Sequence, residues 1–112
     1  MNLIQPKYRF EILIPLYDNA GAPIAPEKIW GVFAEIFSKY GACRTQPLAP
    51  HLGWWVEEAE SSTVYKDWTL MFAIDVDPTE ENITWFRNLK QQLAATFNQL
   101  EIYIAGMEIF GV

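Results

Sequence analysis

Apolar and polar residues alternate along KYRFEILIPLY (7–17). Tyr8, Phe10, Ile12, Ile14 and Leu16 fall on one side; Arg9, Glu11, Leu13, Pro15 and Tyr17 fall on the other. A period of two marks a half-buried strand. Pro15 has no N–H to donate, so the ladder is expected to loosen there. DNAGAP (18–23) has the composition of a loop. The period then changes. Pro26 suits a first helical turn, Ile29, Phe33, Ile36, Phe37 and Tyr40 recur at helical spacing, and Gly41 is placed to end the helix. Residues 42–58 read as extended but are interrupted by QPLAPHLG, whose prolines break a regular ladder. AESS (59–62) is a polar turn. Residues 63–76 alternate again, with Trp68, Leu70, Phe72, Ile74 and Val76 on one side and Tyr65, Asp67, Thr69, Met71, Ala73 and Asp75 on the other. DVDPTEEN opens a second helix, capped by Asp77 or Thr79 and lined inside by Ile83, Phe86, Leu89, Leu93 and Phe97. A last strand is expected from about Leu100 to Ala105, and the tail MEIFGV as a short additional edge strand.

The order is β-α-β-β-α-β. Split βαβ units of this kind build an antiparallel sheet with both helices on one face, an α+β ferredoxin-like sandwich. A chain of 112 residues suits one domain spanning 1–112. With 51% hydrophobic and 15% aromatic residues it has the material for a core and is no disordered chain.

Helices on one face leave the other bare. The residues expected there are Arg9, Glu11, Leu13 and Tyr17; Tyr65 to Asp75 in alternation; and Glu101, Tyr103 and Ala105. HLGWWVEE (51–58) adds to them. Neighbouring strand residues point to opposite sides, so one of Trp54 and Trp55 joins the bare face. The prolines just before them leave open which. Leu13, Tyr17, Met71, Tyr103 and a tryptophan make an apolar patch of a kind monomers seldom leave uncovered. Three readings compete. The patch is covered by loop 45–53 or the tail, it is packed against a second copy as a homodimer, or it walls a cleft for a small hydrophobic molecule.

Charge narrows the partners. The net charge is −6, and residues 57–81 hold eight acids against the single base Lys66. Nucleic acid needs clustered bases, so nucleic-acid binding is not expected; a basic partner would suit the acidic stretch. No apolar run is long enough for a membrane helix and MNLIQPKYRF does not read as a signal peptide, so a cytoplasmic protein is expected. Cys43 stands alone, which rules out an internal disulfide.

Candidate chemistry is sparse. His51 is the only histidine; its ordinary pKa suits proton transfer near neutrality, but a surface loop histidine is the commoner role. Tyr65 and Asp67, with Arg44 and His51, would supply polar groups around the aromatic patch. The plainer role for Tyr65 is cross-strand packing on a tryptophan. The acids match no metal-loop spacing, and the phosphate-loop, dinucleotide, nucleophile-elbow and zinc motifs are all missing; no metal and no cofactor is expected.

The stretches GWWVEE…VYKDWTLMFAIDV and ENITWFRNLKQQLAATFNQLEIYI, in this element order, resemble small bacterial proteins of unassigned function with a ferredoxin-like fold. A looser similarity is to the dimeric α+β barrel group, which includes small cofactor-free monooxygenases. Neither resemblance implies a particular activity. The leading expectation is a homodimerising binding or interaction module that uses the open sheet face. Trp54, Trp55, Tyr65, Met71, Tyr103, Leu13, Tyr17 and Arg44 would be its contact residues. The competing expectation is a small cofactor-independent enzyme acting on a hydrophobic or aromatic molecule, with His51, Tyr65 or Asp67 handling protons.

Overall fold

A computed structural model describes residues 4–45, 51–55, 65–99 and 101–112, of which 51–55 and 65–67 are described by their backbone. The elements are β1 (Gln5–Pro15), α1 (Pro26–Tyr40), β2 (Arg44–Thr45), β3 (His51–Trp55), β4 (Tyr65–Val76), α2 (Glu80–Thr96) and β5 (Ile104–Gly111). β4 pairs with β1, and β1 with β5, all antiparallel. β2 and β3 share the other side of β4: β2 pairs at Phe72 and Ala73, β3 from Tyr65 to Thr69. They fill one lane of the sheet, so the lanes run β2/β3, β4, β1, β5. This is the ferredoxin-like order expected from the sequence.

The covered face follows from the alternation. Phe10, Ile12 and Ile14 of β1 and Leu70, Phe72, Ile74 and Val76 of β4 are buried with Ile102 under the helices. α1 lies over β4, where Phe33 meets the Phe72 ring edge-on at 5.6 Å. α2 lies over β1, where Phe86 stacks on Phe10 at 4.1 Å. Tyr40 closes the seam between the helices, stacked on Phe86 at 5.5 Å and edge-on to Trp85 at 5.2 Å.

α2 is built as its sequence indicates. Thr79 is the cap, its hydroxyl accepting from the Asn82 N–H at 3.2 Å, and Phe86, Leu89 and Leu93 are buried. In α1 the line of deepest burial is Ile29, Val32 and Ile36, and Gly41 ends the helix at φ 76°, where a glycine avoids steric cost. Phe37 departs from expectation and is about half exposed. One residue is 100° of helical turn, which swings Phe37 off the line that Ile36 occupies.

The C-terminal strand also differs. It begins at Ile104, and the tail continues it; there is no separate edge strand among the described residues. Residue 106 explains why one strand is possible there. Gly106 lies opposite Phe10, and a Cβ on it would sit 2.8 Å from the Phe10 ring. The absent side chain makes room for the core ring and lets β5 run straight past it.

Candidate active site on the open sheet face

Pairing sorts the uncovered face into rows that cross the strands. The first row is Met107, Arg9 and Asp75; the second is Ala105, Glu11, Ala73 and Arg44. The third is Tyr103, Leu13 and Met71, the Leu13 N–H donating to the Tyr103 carbonyl at 3.0 Å. The fourth is Pro15, Thr69 and the backbone of His51. Rows on one face are two residues apart, about 7 Å, and strands are about 4.8 Å apart.

The first two rows are charged. Arg9 grips Asp75 with two hydrogen bonds, Nε to Oδ1 at 2.7 Å and Nη2 to Oδ2 at 3.1 Å. Arg44 reaches the same carboxylate from the far side, Nη2 to Oδ1 at 3.4 Å. The Arg9 hydrogen bonds hold the Asp75 carboxyl below its ordinary value, burial opposes this, and Arg44 adds to the lowering. Arg9 is raised in return, mainly by the same hydrogen bonds. Arg44 remains largely exposed, with one long contact to Asp75. One more acid of the 57–81 stretch is matched across strands, Asp77 with Lys7 at 2.8 Å.

The third row is apolar. Leu13 and Met71 are half-buried side by side, and Tyr103 flanks Leu13 and is exposed. Three contact residues expected from the sequence are thus brought together. Tyr17 and Arg44 are placed away from this row. Tyr17 lies beyond the end of β1, exposed, in an isolated bridge to Pro23, and its carbonyl accepts from Gln99 Nε2 at 2.8 Å. Glu101 pairs with Lys90 of α2 at 3.1 Å. Arg44 is opposite Ala73, eight positions along β4 from Tyr65, or about 26 Å. It therefore joins Asp75 and not the Tyr65–Asp67 end.

On β3 the register is definite. Trp55 pairs with Tyr65, Trp54 with Lys66 and Gly53 with Asp67, so Trp55 holds the position in step with Thr69 and Met71, and Trp54 the one in step with Trp68. The side chains of Trp54, Trp55, His51, Tyr65 and Asp67 lie outside the described residues. Met107 is a member of the face that the pattern missed, because the last strand was expected to end at Ala105. The Arg9–Asp75–Arg44 cluster was missed as a unit; its signal was Arg9 and Asp75 sharing the bare side of two long strands.

Two further groups bear on reactivity. Burial raises the Cys43 thiol above its ordinary value, against weaker lowering by a backbone hydrogen bond at Ala73 and by Arg44, so the sulfur is held protonated. Tyr40 is pushed up to about 12, first by burial and then by Glu81, and its hydroxyl donates to Asn82 Oδ1 at 2.9 Å. Both belong to the helix side of the sheet or its margin. No helix of the described residues is long and apolar enough to cross a membrane.

No family model and no curated protein matches this chain. A solved structure does: a phage SAM lyase in complex with S-methyl-5'-thioadenosine, with a TM-score of 0.67 and 15% identity, covering 91% of this chain and 81% of that one. The likeness extends over nearly the whole chain and bears out the small α+β fold. It also overturns the leading functional expectation. That neighbour is an enzyme, which goes against the leading expectation of a non-enzymatic interaction module and stands nearer to the competing one.

Proposed function

We propose that this protein is an enzyme, a lyase that cleaves S-adenosylmethionine and releases S-methyl-5'-thioadenosine, and that the open sheet face holds its substrate. The observation that carries this reading is the fold shared over 91% of the chain with a phage SAM lyase bound to that thioether. The rows on the face fit such a molecule in their chemistry. The substrate is a nucleoside, with a flat base that can stack and a hydroxylated ribose, joined through a sulfonium cation to an amino-acid zwitterion. Tyr103, Leu13 and Met71 offer an apolar and aromatic surface to the nucleoside, and the exposed Tyr103 ring suits a neighbouring cation. One row away, Arg44 has guanidinium donors for a carboxylate, and Glu11 across Ala73 suits an ammonium group.

The chemistry asks little of the protein. When a sulfonium C–S bond breaks, the bonding pair goes to sulfur and a neutral thioether leaves. The carbon fragment is balanced by attack of its own carboxylate or by loss of a proton. Orientation is then the main task, and holding a near-attack geometry is where positioned side chains contribute most. His51, one row beyond Met71 by its backbone, with Asp67 and Tyr65 further along, remain the proton handlers if a proton is lost.

The test is incubation of purified protein with S-adenosylmethionine and chromatography for S-methyl-5'-thioadenosine, beside buffer and heat-denatured protein. Thioether accumulating in proportion to native protein is the expected result. Loss no faster than in buffer alone overturns the reading.

A further inference from the structure

β5 is the outer lane of the sheet, paired with β1 and with no other strand among the described residues. Its ladder runs from Ile12↔Ile104 to Gln5↔Gly111, eight pairs without a bulge. The alternation of hydrogen bonds shows which groups point outward. The Leu13 N–H donates toward β5, to Tyr103, and the Leu16 N–H toward β4, to Trp68, at 3.0 and 2.9 Å. Odd residues of β1 therefore bond to β5 and even ones to β4. By the register, residues 105, 107, 109 and 111 bond back to β1. The N–H and C=O groups of Ile104, Gly106, Glu108 and Phe110 are directed away from it.

Exposed edges are normally blunted by lysine, proline, a bulge or shortness. The sheet's other edge follows this rule: β2 has two residues, β3 five, and Pro47 and Pro50 fall between them in sequence. IAGMEIFG has none of these devices and a single charge, Glu108. It also carries exposed apolar side chains, Met107 at 39% and Phe110 at 64%. An open groove of about 470 Å³, lined by Pro6, Tyr8, Pro78 and Phe110 among others, continues the edge at its far end.

We propose that β5 pairs antiparallel with β5 of a second copy of this chain, joining two sheets edge to edge. The strand is its own complement. A two-fold axis at Met107 sets Gly106 opposite the partner's Glu108 and Ile104 opposite the partner's Phe110. All four outward-facing residues of each copy are then bonded, and each Glu108 faces a glycine and not its twin. A shift of one pair toward the C-terminus sets the two glutamates directly opposite, which is unfavourable. The open face keeps its rows uncovered in this arrangement, so substrate access and self-association use different parts of the sheet.

Light scattering after size exclusion tests this on the full chain. The expected mass is twice 12.9 kDa, falling to the single value on dilution. Glu108→Pro removes an outward N–H and leaves the bonds between β1 and β5 in place, so it should halve the mass with the circular dichroism unchanged. Hydrogen exchange supplies a second readout: amides of residues 104, 106, 108 and 110 should exchange more slowly as concentration rises. A monomer at every concentration, any other closed mass, or a dimer that survives Glu108→Pro overturns the proposal. Should that variant misfold, exchange at those amides that is independent of concentration overturns it equally.

Discussion

The two faces of this sheet are made by the same strands and obey different rules. On the helix face, aromatic rings from four elements interlock: Phe10, Phe72, Phe86 and Tyr40 touch one another or a neighbour within 6 Å. Such packing has little slack, and every atom removed or added there is felt. On the open face, charged, apolar and small residues lie in rows; Arg9, Leu13, Met71 and Asp75 are half-buried and Tyr103 is exposed, while Thr69 and Ala73 are buried. That face is free to carry a site because it carries little of the stability.

The contrast is broken most severely by truncating a ring. Phe86→Ala removes the partner of both Phe10 and Tyr40 and should cost about 3–5 kcal/mol, read as a lower urea midpoint. Adding an atom is the next largest effect. Gly106→Ala forces a Cβ onto the Phe10 ring and should cost about 1–3 kcal/mol by the same measurement. If Gly106→Ala leaves the midpoint alone, the ring moves easily and the core is looser than described. Tyr40→Phe loses a hydrogen bond worth about 1 kcal/mol. It also changes the alkaline limb. The folded pKa of Tyr40 is raised to about 12, so its contribution is intact below the unfolded value near 10 and lost as pH rises toward 12. The phenylalanine variant should flatten that part of the pH–stability curve.

The open face should respond in the opposite sense. Arg44→Ala and Tyr103→Ala change exposed side chains and should shift stability by no more than about 0.5 kcal/mol. Both should raise KM for S-adenosylmethionine. A large fall in melting temperature with KM unchanged would place them in the scaffold instead. Asp75→Asn is also a small change, since a partly exposed ion pair contributes about 0–1 kcal/mol. The lowered Asp75 pKa means its contribution is present above the unfolded value near 3.9 and is lost as pH falls through the folded one. Acid titration of the asparagine variant should therefore lose slope below about pH 4 relative to wild type.

The sequence displayed the helix face more plainly than the open one, for a physical reason. Burial selects residue type at every second position of β1 and β4, so Phe10, Ile12, Ile14, Phe72 and Ile74 announce their side. Nothing selects as strictly on the open face, where Arg9 and Asp75 read as scattered charges until the register brings them within 2.7 Å. Register depends on pairing over a separation of 66 residues, which local pattern does not contain. The end of β5 was misjudged for a related reason. The strand runs on past Ala105 because Gly106, with no side chain, leaves the space the Phe10 ring needs. Residues 51–55 show the same limit: the prolines hid which tryptophan is in step with Met71, and only pairing with β4 decides that it is Trp55.

The central position of β1 has a consequence for how the chain comes into being. Its two neighbours lie far downstream, β4 at residues 65–76 and β5 at 104–111. A ribosome adding about 5–20 residues per second needs roughly 5–20 s to travel from the first strand to the last. Phe10, Ile12 and Ile14 have no lane beside them until β4 is made, and their second lane is missing until β5 follows. Long-range strand pairing is also the slow step of folding itself. The nascent polypeptide thus presents the apolar side of β1 well before both flanking strands can hide it, which makes β1 a segment on which chaperone capture and premature aggregation compete.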